Sequence, residues 1–74
     1  LDKEKMMETL GDALPKEMAR VRDELIPQYQ LIGSAGGFAL MLMRASLDRA
    51  ARAMIEGDLP AMIAAYKELQ GFTS

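Results

Sequence analysis

From Leu14 to Leu69 the apolar residues of this chain return every three or four positions, and no stretch alternates apolar with polar. That spacing lines one face of an α-helix; a strand face needs a period of two. In DALPKEMARVRDELIPQYQLIG, the residues Leu14, Met18, Val21, Leu25, Tyr29 and Ile32 form one stripe, unbroken in phase. Leu59, Met62, Ile63, Tyr66 and Leu69 form a second near the C-terminus. β-Branched residues are scarce, and the helix formers Ala, Leu, Met, Glu, Lys and Arg dominate. The chain is therefore expected to be all-α.

Glycines and prolines place the joints. In EGDLPAM, Gly57 suits a left-handed helix stop, Asp58 the next N-cap, and Pro60 the first turn, where a missing N–H costs little. GDALP at 11–15 reads the same way, with Gly11 as stop, Asp12 as cap and Pro15 in a first turn. The two joints share this punctuation without a longer internal repeat. Pro27 removes one helical hydrogen bond and predicts a kink. Gly33 ends that helix, Ser34 is the expected cap of the next, and Gly71 closes the last, with Phe72 folding back onto it. The reading is one domain, 1–74, built as a small three-helix bundle plus a short N-terminal helix. The helices are expected at about 2–10 (Asp2 capping, with Met6, Met7 and Leu10 as its stripe), 13–32 kinked at Pro27, 35–56 and 59–70.

The segment GSAGGFALMLMRAS then becomes informative. From Phe38 to Met43 every side chain is apolar, which predicts a central helix buried on all sides. Beyond it the stripe narrows to Leu47, Ala50, Ala51 and Met54, while Arg44, Asp48 and Arg52 make a ladder of opposite charges. Two short neighbours cannot cover so much apolar surface. A chain of 74 residues also buries a limited core, and with no cysteine it has no disulfide to help. Phe38, Leu40, Met41, Leu42, Met43 and Leu47 are therefore the expected interface with a second copy, as a two-fold homodimer, or with another protein. The seven methionines suit either an adaptable core or such a surface.

Most chemistry is excluded. Without histidine or cysteine the usual nucleophile–base pairs and transition-metal sites cannot form, so no catalytic, metal-binding or cofactor-binding residue is assigned and no enzyme activity is expected. Glu56 and Asp58 flank Gly57, where helix ends favour polar residues, so capping explains them without acid–base work. GSAGG lacks the lysine and the preceding strand of a phosphate loop; Gly36 and Gly37 instead suit close helix approach. The apolar run is far short of the roughly 20 residues that span a bilayer. No basic segment precedes an apolar one at the N-terminus, so no signal peptide is expected. Arg44, Arg49 and Arg52 on one helix leave a nucleic-acid contact as the alternative reading, opposed by a net charge of −2 and by the uncharged start of the following helix.

Two resemblances stand beside this reading. ARAMIEGDLPAMIAAYKEL, residues 51–69, resembles the helix–turn–helix joint of tetratricopeptide-type repeats, which implies a tight antiparallel hairpin and not peptide binding. The stretch from about Pro15 to Phe72, through MARVRDELIPQY, IGSAGGFA and AMIEGDLPAMIAAYKEL, is similar to small uncharacterised helical proteins of bacterial and phage genomes. That similarity implies a bacterial, cytoplasmic setting and carries no activity.

Overall fold

The computed structural model describes residues 3–73, with side chains from Thr9 onward. The described residues are helical and contain no strand. Four α-helices, α1 (Lys3–Arg20), α2 (Ile26–Leu31), α3 (Gly37–Glu56) and α4 (Leu59–Gln70), are joined by a π-helical turn at Val21–Leu25 and a 3-10 turn at Gly33–Gly36. Because the π turn connects α1 directly to α2, residues 3–31 form one continuous helical rod. α3 returns along it, and α4 returns along α3 while also packing on α1. The result is an elongated three-layer hairpin of 44 × 17 × 16 Å.

The separate N-terminal helix expected at 2–10 is instead the beginning of this rod, and Pro15 lies well inside it. Tertiary burial explains the continuity. Leu10 and Leu14 are one turn apart and both enter the core. Their burial is worth about 1.5–3 kcal/mol each, comparable with the combined cost of an interior glycine, about 1 kcal/mol, and an interior proline, about 3 kcal/mol. Stopping at Gly11 would withdraw Leu10 from that core. The cap expected at Asp2 and the side chains of Met6 and Met7 lie outside the described residues.

Pro27 acts one turn upstream of itself. It has no N–H to offer Asp23, and its ring crowds that carbonyl. The helix responds by widening: the N–H of Ile26 reaches the carbonyl of Val21, five residues back. A turn closed at i+5 holds one extra residue and rotates everything after it. Leu25 and Ile26 are thus both buried, whereas Ile32, placed in the stripe by simple helical counting, is exposed.

The core is narrow. Leu10, Leu14, Val21, Leu25 and Ile26 from the rod meet Met43, Ala50 and Ala53 of α3 and Met62, Ala65 and Leu69 of α4. Alanines at these contacts bring the helix axes close, since axial separation follows side-chain size. The α3–α4 joint matches its sequence reading. Gly57 sits at φ 64°, and the Asp58 carboxylate accepts a hydrogen bond from the Ala61 N–H at 3.2 Å. Ser34 does not cap α3; it lies within the 3-10 turn and makes no capping side-chain bond.

Polar side chains tie down the end of α4. Arg20 pairs with Glu17 at 2.6 Å and donates to the carbonyls of Leu69 and Phe72 at 2.9 and 3.0 Å. Tyr29 donates its hydroxyl to the carbonyl of Thr73 at 2.7 Å. Helix C-termini leave carbonyls without partners and carry partial negative charge, so a guanidinium is well suited there.

Candidate functional site

α4 is too short for the helix it covers. Its 12 residues extend about 18 Å, against about 30 Å for the 20 residues of α3. α4 starts beside the C-terminal end of α3 and therefore runs out before the first turns of α3. The buried residues of α3, Met43, Ser46, Ala50 and Ala53, all lie from Met43 onward. Before that point, among the described helices, α3 packs on the last turns of the rod, and the segment after α4 reaches the same level, where Thr73 accepts from Tyr29.

This uncovered end of the α2–α3 hairpin carries the largest concentration of exposed apolar residues among those described. Leu31 is 88% exposed and Phe38 69%, and Ile32, Met41 and Leu42 are also exposed. With roughly 150–200 Å² per large side chain, these five leave about 500–600 Å² of accessible surface, at the upper limit of what ordinary monomers expose. The patch is also free of charge: no residue from Ile26 to Met43 is acidic or basic. The exposed face of α3 changes character after this point, to Arg44, Asp48, Arg49, Arg52 and Glu56.

The structure divides the six expected interface residues. Phe38, Met41 and Leu42 are exposed, while Leu40 and Leu47 are half-buried against the core. Met43 is 1% exposed, so it belongs to the chain's own core and cannot meet a partner. The helix expected to be buried on all sides is thus buried on one face only. Leu31 and Ile32 join the patch although helical periodicity did not single them out for it. Two signals in the sequence mark them: the charge-free run from 26 to 43, and the unequal lengths of the last two helices.

The glycines of this corner have separate roles. Gly33 adopts φ 75°, which lets the chain leave α2. Gly36 is buried against α2, where a Cβ would collide with the carbonyl oxygen of Tyr29. Gly37, expected to share that close approach, has open space around it. The tight corner therefore depends on Gly33 and Gly36.

The three arginines of the alternative reading do not act as a free cluster. Arg49 pairs with Glu68 of α4 and donates to Ser46 Oγ at 3.2 Å. Ser46, buried, donates to Glu68 Oε1 at 2.6 Å. The hydrogen bonds from Arg49 and Ser46 hold the Glu68 carboxyl below the usual carboxylate range. Arg52 reaches Asp48 at 3.4 Å, and Arg44 is exposed. A shallow groove between α3 and α4 is floored by Ala53, Ala61, Ala64 and Ala65 and edged by Arg49, Arg52, Glu56 and Glu68. Arg49 and Glu68 pair across the two helices, while Arg52 pairs with Asp48 along α3.

Among the described residues no group of Asp or Glu is arranged to hold a metal ion, and no helix is long and apolar enough to cross a membrane. The sequence matches no protein-family model, and no curated protein or solved structure is significantly similar to it.

Proposed function

We propose that this chain is a helical protein–protein interaction module that self-associates as a homodimer through the open end of its α2–α3 hairpin. The observation that carries the reading is a large apolar patch with no charge in it, left bare because α4 ends too soon. Two copies covering all five side chains would bury at most about 1,000–1,200 Å², at the lower limit of a specific interface. The lack of charge favours a second copy in particular. A two-fold axis sets like against like, and an uncharged patch meets itself without repulsion or stranded ions. An anionic membrane surface finds no lysine or arginine among these residues, and the chain as a whole is acidic. The setting we propose is the bacterial cytoplasm, as the resemblance over about Pro15 to Phe72 implies. Catalysis has no place in this proposal.

Light scattering on a size-exclusion column tests it. At about 100 µM, where mass action favours association, the native chain should elute as a dimer. The variants Phe38→Asp and Leu42→Asp should elute as monomers with unchanged helical circular dichroism, because both side chains face solvent in the single chain. A native chain that stays monomeric overturns the proposal. A dimer that survives Phe38→Asp combined with Leu42→Asp removes this surface from it.

A further inference from the structure

Building on that self-association, we infer that the two copies dock end to end, their hairpin tips overlapping so that α2 and the start of α3 from each chain form a short four-helix bundle. Three observations lead there. The patch lies at one extremity of a molecule 44 Å long and only 17 × 16 Å across, because α2 ends the helical rod. The flank of α3 beyond the patch carries Asp48, Arg49, Arg52 and Glu56, all exposed, so a partner lying alongside the full helix would desolvate these charges. The core shows what is missing: where α4 is present, three helices enclose the apolar face, and at the tip two helices do, with the segment after α4 reaching Tyr29 through Thr73. A second hairpin, rotated by half a turn about an axis across the rod, supplies two further helices where the chain's own third helix is absent. Antiparallel helix pairs packed in this way are the ordinary geometry of a four-helix bundle.

The overlap is limited to the uncharged region, which ends at Met43. From Gly37 to Met43 the helix rises about 10 Å. The dimer is then a rod about 75 Å long, since two molecules of 44 Å share little more than this length. Side-by-side packing would leave the particle near the length of one copy.

The chain has no cysteine, so a single introduced cysteine carries a single spin label. Ser34→Cys labels the tip and Ile55→Cys the far end of α3; both positions are exposed. Ile55 lies about 27 Å along α3 from Gly37. Pulsed electron–electron distance measurements on samples shown to be dimeric by light scattering should place the two Ser34 labels within about 25 Å and the two Ile55 labels at about 45 Å or more, given 1.5 Å of rise per residue. Gln28→Cys, also exposed, reads the tip separation should a label at Ser34 weaken the dimer. A dimer whose Ile55 labels are closer together than its tip labels, or in which both pairs are close, overturns the end-to-end arrangement and leaves self-association intact. A monomer in the unlabelled protein overturns both.

Discussion

Arg20 and Arg22 are two residues apart, and each has a carboxylate within reach, yet removing them should have very different effects. Arg22 pairs with its neighbour Asp23 at 2.9 Å, both side chains exposed by about 60%. An exposed pair of this kind contributes about 0–1 kcal/mol. Arg20 reaches across the molecule to the carbonyls of Leu69 and Phe72 and is itself only 31% exposed. A hydrogen bond to a charged group contributes about 1.5–3 kcal/mol when well buried; the two made here share one nitrogen and keep some solvent contact. Charge at a helix C-terminus adds about 0.3–1 kcal/mol. Arg20→Gln should therefore destabilise the fold by about 2 kcal/mol, the low end of the combined range, because the bonds share one nitrogen and stay partly solvated. Arg22→Gln should change stability by less than about 0.5 kcal/mol. Urea unfolding followed by circular dichroism measures both, at one fixed protein concentration because dimerisation would add to apparent stability. Hydrogen exchange gives a second readout, as Arg20→Gln should deprotect the last turn of α4 specifically. Equal losses for the two variants, or a loss for Arg20→Gln with exchange in α4 unchanged, would refute the idea that Arg20 holds the C-terminal end in place.

Two further outcomes follow from the same geometry. Gly36→Ala should destabilise by about 1–3 kcal/mol, since its Cβ meets the Tyr29 carbonyl and the corner must shift; Gly37→Ala, with open space and helical φ, should stabilise by about 0.4–1 kcal/mol. Thermal melts of the pair check it, and equal shifts would remove Gly36 from its role. Glu68 is held low by Arg49 and Ser46, so the unfolded chain binds its proton more readily. Its contribution is complete above the ordinary glutamate range and is lost as pH falls through its depressed folded value. Acid titration of Glu68→Gln should show a smaller loss of stability across that interval than the native chain; an identical acid limb would contradict the coupling.

The helices around Gly57 were legible because their determinants are local. A left-handed glycine, an aspartate cap and a first-turn proline act within five residues, and α4 begins and ends where its periodicity indicates. The same letters at GDALP produced no joint. There the choice between stopping and continuing depends on whether Leu10 and Leu14 have something to pack against, and α4 supplies it from more than 40 residues away. Local propensities of a few kcal/mol are easily reversed by contacts of that size.

The candidate surface shows the same division. Its chemistry was readable in Phe38, Met41 and Leu42, but Met43, in the same apolar run, turned inward. An all-apolar helix does not reveal which side faces its neighbours. Likewise Arg49 looked like one of three equivalent arginines until α4 brought Glu68 beside it.

By itself, then, the sequence determined that the described residues are helical and where the last joint falls, because periodicity and capping are properties of residues or of near neighbours. Only the tertiary structure decided that the first two helices are one rod, that Pro27 is absorbed by a π turn, and that the hairpin tip is bare. The rod and the bare tip depend on how far one helix extends beside another, a relation between distant segments; the π turn is one of several local responses open to a helix at a proline.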